Sequence, residues 1–323
     1  MALNDAIKSE FTVFFGEENN GALTSGVEMN PLRVSDVTVE GETQKIESDV
    51  IIPDSRIPST PESGSESNSG DISTEWNINE QDPLFAAVML NDWEDQGDNT
   101  KTLVLGKTRK TFSLLKKYSQ EPIEYQLFKN EQINQLTMNF AVSDFVKLTW
   151  SIMGANHPRK ETDDPLSGLS PVYNEALTTK SFITLDGYIK LGNSFSDLTA
   201  NHQISGMSIT INNNLERTDA LFETEAVEMS LGDFNVSGSF DVLNSGAVAR
   251  ELYNDAVGGA DKCMEVQVSR TIDGSKTSYT IQLKCHLDNV SESKDGNHLK
   301  YGINWTMNSA DGIKFIKKTE EVN

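Results

Sequence analysis

The sequence predicts a mainly β protein, an antiparallel sandwich or barrel-like fold with one flanking α-helix, forming a single domain over 1–323. Apolar and polar residues alternate with a period of two from one end of the chain to the other, the pattern of strands that bury one face. Turn residues interrupt these runs at short intervals, and so many short strands fit a sandwich or a barrel. A hydrophobic content of 37% over 323 residues is enough for a sizeable core without disulfide staples.

In chain order, segment 72–79 sets Ile72, Trp76 and Ile78 against Ser73, Glu75, Asn77 and Asn79. A short helical stretch is expected at 82–93, with Asp82 as its cap and Pro83 in the first helical position. Leu136, Met138 and Phe140 then alternate with polar residues, as do Leu148, Trp150 and Ile152 after a short turn, so the pair reads as a hairpin. Further strands carry Met207, Ile209 and Ile211, then Phe234, Val236, Phe240 and Val242, and finally Tyr301, Ile303, Trp305 and Met307. A helix is expected from the Asn244-Ser245 cap to Gly258-Gly259, with Val248, Leu252 and Ala256 on its apolar stripe beside Ala249 and Tyr253.

The clearest hairpin covers 263–287. A two-residue Asp273-Gly274 loop pairs Ile272 with Ser275, and that register brings inward-facing residues of both strands together. It also sets Cys263 opposite Lys284 and Cys285 opposite Lys262, with the two sulfurs on opposite faces of the ribbon, so no disulfide is expected. Two stretches lack alternation. Residues 53–71 are rich in Ser, Pro, Gly and acids and read as a long extended loop, and 154–179 reads as a polar insertion, either functional or disordered.

The formal charge of −22 comes from 27 basic and 49 acidic residues, and most of the excess lies in residues 1–100. Affinity for nucleic acid rests largely on Lys and Arg neutralising phosphates, so this balance argues against gripping DNA. No run approaches the roughly 20 apolar residues of a membrane span, and the chain start has no signal-peptide pattern, so no membrane partner is expected and the protein should be made in a cytoplasm.

No catalytic, cofactor-binding or metal-binding residues emerge. Gly106-Lys107-Thr108 ends like a phosphate loop, but the motif's first glycine would fall on Lys101. The acidic run 92–98 has Leu103 where a calcium loop needs its bidentate Glu. His157, His202, His286 and His298 form no ligand or nucleophile arrangement, and two cysteines cannot complete a zinc site. The chain is therefore read as a non-enzyme without a cofactor.

The order of several runs resembles the tail tube proteins of long, non-contractile-tailed (siphovirus-type) bacteriophages. These runs are Phe15-Gly16-Glu17-Glu18, Pro31-Leu32-Arg33-Val34, Gly70-Asp71-Ile72-Ser73-Thr74-Glu75-Trp76 and Asp82-Pro83-Leu84-Phe85-Ala86-Ala87. Later come Ser208-Ile209-Thr210-Ile211-Asn212-Asn213 and the run Gly232 to Phe240. The resemblance implies a structural virion protein whose hexameric rings join their inner sheets into a barrel and stack into the conduit for genome ejection. Implied partners are further copies of itself, a tape measure protein, tail-end proteins, and double-stranded DNA that passes without specific binding. The implied location is the virion tail, after assembly in the host cytoplasm. Within that picture Arg56, Ile57, Pro58, Glu62 and Glu66 would contact an adjacent ring, and Glu40, Glu42, Glu75 and Asp233 would line the lumen. The competing reading is a β-sandwich binding module, an adhesin or carbohydrate-binding protein, for which exposed tryptophans would speak. Trp76, Trp150 and Trp305 instead fall on apolar strand faces.

Overall fold

Alternation of this kind is satisfied by two sheets whose apolar sides meet, and the computed structural model has this arrangement. It describes residues 11–322 apart from 20, 48–59, 200–202, 245, 296–297 and 310. The first strands are β1 Phe11–Glu17, β2 Glu28–Leu32, β3 Val34–Val37, β4 Glu40–Ile46 and β5 Glu62–Glu75. Helix α1, Asp82–Val88, leads to β6 Glu94–Gly97, β7 Thr100–Val104, β8 Phe112–Tyr118, β9 Tyr125–Ala141 and β10 Lys147–Gly154. Next come β11 Val172–Tyr173, β12 Gly187–Gly192, β13 Ile204–Asn212, β14 Glu216–Thr218, β15 Glu228–Ser230 and β16 Asn235–Leu243. Helix α2, Ala247–Val257, precedes β17 Asp261–Ile272, β18 Ser275–Asp295, β19 His298–Met307 and β20 Ile313–Glu321.

The first layer runs from β3 and β4, one after the other along the same edge of β5, through β10, β9, β13, β16 and β19 to the far half of β18. The second layer runs β12, β17, the near half of β18, β20, β7 and β6. A smaller flap joins β11, β2, β1 and β8 to the first half of β9. Strands β9 and β18 are 17 and 21 residues long and belong to two groups each. The register of β18 against β19 shifts between Leu287 and Asn289, the kind of bulge that bends a strand from one layer to another.

The β17–β18 hairpin has the expected register, with Ile272 opposite Ser275, Cys263 opposite Lys284 and Lys262 opposite Cys285. Asp273 and Gly274 both have positive φ, 49° and 78°, as the tight turn requires. Both cysteines are free. The expected 136–152 hairpin is also present, as the second half of β9 against β10.

Helix α1 differs from expectation. It ends at Val88, short of residue 93, and Gln81 rather than Asp82 is its cap. It is not a surface helix, because Leu84 through Val88 are all buried. Phe85 lies against Trp76 and Trp150 of the first layer at ring distances of 5.1 and 5.2 Å, and against Phe315 of the second at 5.3 Å. Asp82 is drawn from the cap role into a partly buried polar set, accepting from the Tyr279 hydroxyl at 2.6 Å and from the Lys317 ammonium.

Helix α2 is the flanking helix. It ends before Gly258-Gly259 as expected, but Gly246 is its cap with no side-chain hydrogen bond, and Ser245 lies outside the described residues. Ala249, Leu252 and Ala256 are buried against β18 and β19, with Tyr253 on Tyr301 at 4.8 Å, while Val248 is exposed.

The expected loop over 53–71 is overturned in its second half, since residues 62–71 belong to β5 and pair with β4 and β10. Beyond the sandwich a hairpin has no core to face, so its backbone bonds hold it without an apolar alternation. The polar insertion 154–179 is an ordered strap. His157 receives a side-chain hydrogen bond from or gives one to Thr43 Oγ1 at 2.7 Å, and the strap's Leu166 is buried with Val27, Met29, Leu115 and Leu127 in a second small core. Its end is pinned by Arg33, whose guanidinium donates to the Thr179 carbonyl and pairs with buried Glu80.

Several buried polar groups among the described residues lack a full set of partners, Glu131 among them. Glu131 on β9 is fully buried, one carboxylate oxygen accepting from Asn68 Nδ2 at 2.8 Å and the other having no partner. Burial pushes its carboxyl well above the usual carboxylate range, opposed by the Asn68 hydrogen bond and reinforced by Glu18. The native chain thus holds this proton more tightly than the unfolded one, so stability is lost as pH rises from the ordinary carboxylate range through the raised native value.

Two stability measurements follow from this packing. Phe85→Ala should cost about 3–5 kcal/mol in urea unfolding, because the wedge between the layers leaves a cavity. Glu131→Gln should match the parent near about pH 4 and exceed it in stability at about pH 8, since the amide carries no charge to desolvate.

Candidate functional site

The outward side of the first layer carries a field of short polar side chains in register. Ser73, Thr149, Thr137, Thr210, Ser237 and Thr306 stand side by side across β5, β10, β9, β13, β16 and β19. Two residues along, Glu75, Lys147, Asn139, Ser208, Ser239 and Asn304 form the next row, continued by Asn289 of β18. On the other side lie Asp71, Ser151, Gln135, Asn212 and Asn235. Lateral contacts tie the rows, with Thr137 and Thr210 hydroxyls 3.4 Å apart and those of Ser208 and Ser239 3.1 Å apart. This face offers donors and acceptors to water and almost no cation, since Lys147 is paired with Asp144 at 2.7 Å.

A flat polar face this wide needs large side chains beneath it. Gly238 makes room: a Cβ there would stand 2.2 Å from the Ser208 carbonyl oxygen and 2.5 Å from the Trp305 ring, so only glycine lets the indole lie directly under β16.

Three of the four proposed lumen acids share this face. Glu40 and Glu42 lie opposite Ser69 and Ser67, and Glu75 ends β5, where it accepts from Ser181 Oγ at 2.6 Å. Asp233 lies in the connection before β16, at the rim of the face. Glu40 lies 3.6 Å from the ammonium of buried Lys116, whose pKa is lowered by desolvation. The sequence reading picked out these carboxylates and missed the hydroxyl and amide rows between them. Their signal was present as Ser, Thr, Asn or Gln at three successive alternate positions in each of β9, β13 and β16.

Of the proposed inter-ring residues, Glu62 and Glu66 lie on β5 where it projects beyond the layer. Its last partner on β10 is Gly154, opposite Asn68, so residues 62–67 extend about 20 Å further, paired with β4 alone. Arg56, Ile57 and Pro58 lie outside the described residues. Glu66 is held at the base, its amide donating to the Thr224 carbonyl at 2.6 Å and its carboxylate accepting from the His157 amide.

Both sides of this layer end in unpaired strands. β4 pairs with β5 alone, and residues 288–295 of β18 pair with β19 alone, among the described residues. Such edges are templates for another strand, and a second copy of the chain is the simplest supplier.

Chemistry-bearing side chains stay apart. Among the described residues no three His, Cys, Asp or Glu lie close enough to hold a metal ion, and no helix is long and apolar enough to cross a membrane. Burial pushes the Cys285 thiol up to about 12, which makes it a core residue and a poor nucleophile. His286 pairs with Asp261 at 2.8 Å, far along the chain from His157, while His202 lies outside the described residues. Trp76, Trp150 and Trp305 are buried, and Trp93 is half-buried with its Nε1 donating to the Asp82 carbonyl. The three buried rings offer no open face to a sugar.

A family model described as phage tail tube protein matches residues 9–307. No curated protein matches the sequence.

Proposed function

The chain belongs to the phage tail tube protein family, a structural subunit of the virion tail that polymerises into a tube, and from that premise we propose how its polar sheet face serves the tube. The observation that carries the proposal is the register of hydroxyl and amide rows across β5, β10, β9, β13, β16 and β19. Hexameric rings form when the open edge of β18 meets the β3–β4 edge of a neighbour, the polar rows join around the ring, and that face lines the lumen. The tube then serves as the conduit for genome ejection in a siphovirus-type tail.

Double-stranded DNA passes along this lining without being held. Phosphate binding draws its strength from Lys and Arg displacing counterions, and the face supplies short neutral groups that exchange hydrogen bonds with water. Glu40, Glu42, Glu75 and, at the rim, Asp233 add repulsion that reaches roughly 8 Å at physiological salt. The β4–β5 hairpin, including Glu62 and Glu66, contacts the adjacent ring, together with Arg56, Ile57 and Pro58 from the stretch of sequence between those two strands. The role is structural and needs no catalysis; a tape measure protein fills the lumen before ejection, tail-end proteins cap the tube, and assembly takes place in the host cytoplasm.

Electron microscopy of the purified chain should show hollow tubes or sixfold rings, and a particle that stays monomeric at all concentrations would favour the binding-module reading. Changing Glu40, Glu42 and Glu75 together to Lys should leave tube dimensions unchanged and slow DNA ejection by roughly tenfold, the scale expected from adding three phosphate contacts per subunit. Ejection kinetics identical to the parent would remove the repulsive lining from the account.

A further inference from the structure

Between β13 and β16 the chain leaves the sheet as a small arm made of β14 and β15, with Glu216 opposite Ser230 and Thr218 opposite Glu228. The arm is rooted by buried Leu215 and Met229, and Thr224 near its tip is tied to β5 through Glu66. On this anchored support the tip presents its apolar side chains to solvent: Leu221 is 86% exposed and Phe222 fully so, at 102%. Phe222 also has a φ of 70°, in the left-handed region that a bulky residue rarely adopts. A soluble subunit has no internal reason to hold an aromatic ring outward in that conformation.

The other end of the same strands carries the complementary shape. At the start of β13 and the end of β9, Phe140, Val142, Leu185, Ile189, Ile204 and Met207 line an open groove of about 250 Å³. Its rim is apolar as well, with Leu185 68% and Val142 65% exposed. A cavity of roughly 150 Å³ holds a benzene molecule, so the groove has room for a phenyl ring and part of a second side chain. The nine residues of β13 separate groove from arm by about 30 Å.

We propose that Leu221 and Phe222 of one subunit insert into the Val142–Leu185–Ile204 groove of a second copy in the next ring, as an axial knob-and-socket contact. A knob and a socket on opposite ends of one subunit make a heterologous contact, which repeats without closing on itself when the copies are related by translation along the strands. The lateral sheet edges remain free for neighbours within a ring. This contact deepens the stacked-tube reading and rests on it; it is separate from the β4–β5 hairpin, which projects from the same end as the arm.

The test compares the parent with Phe222→Ser and Leu185→Gln, both at exposed positions where the melting temperature of the subunit should not move. A cysteine pair, Phe222→Cys with Leu185→Cys in a Cys263→Ser background, is oxidised under assembly conditions. The expected result is parent tubes, isolated rings from each polar variant with the concentration needed for stacking raised at least tenfold, and a ladder of covalent multimers from the cysteine pair. Each single cysteine should stop at dimer or below. Normal tubes from both polar variants, or no ladder from parent-like tubes, would overturn the contact and leave the tube reading intact. Loss of rings themselves in Phe222→Ser would also overturn it, because the contact would then be lateral. A parent that forms no rings or tubes would instead refute the tube reading, and this contact with it.

Discussion

Seven residues of α1 hold the two layers at a fixed distance. Phe85 touches aromatic rings from both sheets, and Leu84, Ala86, Ala87 and Val88 close the remaining space around it. Each large side chain buried in this way contributes about 1.5–3 kcal/mol. The helix is short and buried from Leu84 to Val88, and its half-buried amino end is anchored by Asp82 with Tyr279 and Lys317. Burial and the adjoining Asp82 carboxylate push the Tyr279 phenol well up, which keeps it a donor throughout the working pH range. Residues from β10, β18 and β20 are thereby locked to one short helix, and the outer faces of the layers inherit their alignment from it.

That alignment is what makes the polar face regular. Rows of Ser and Thr can run across six strands only if no strand slips, because a one-residue shift would turn the apolar set outward. The buried tryptophans oppose such a slip from below, with Trp150 donating to Thr74 and Trp305 seated under Gly238. The core therefore sets the chemistry of the surface: a dry, aromatic underside enforces a wet lining of short side chains on top.

The parts that reach beyond the sandwich obey a different logic. The hairpin of β4 and β5, the β14–β15 arm and the 154–179 strap have little core of their own and are held by a few long-range hydrogen bonds, including Glu66 to Thr224 and Arg33 to Thr179. Segments so held are suited to meeting another subunit, because contact adds burial that the single chain lacks. The hairpin and the arm project from one end of the layer, and the groove opens at the other. This polarity suits a subunit that repeats along an axis.

The face that each strand buries was legible in the sequence, because a period of two is a local property, and so was the β17–β18 register, which the Asp273-Gly274 turn imposes on its own flanks. The hydroxyl-rich middle row of the polar face was equally present, in Thr137, Thr149, Thr210 and Ser237, but their adjacency depends on pairings between segments far apart in the chain. The sequence placed Asp82 as a cap and 62–71 in a loop, since composition there speaks only of local preference; distant partners, Lys317 and Tyr279 in one case and β4 and β10 in the other, decided otherwise. Alternation thus settled which side chains are inside, whereas the meeting of strand ends, edges and the Phe222 arm with their surroundings came from long-range packing, which no local pattern encodes.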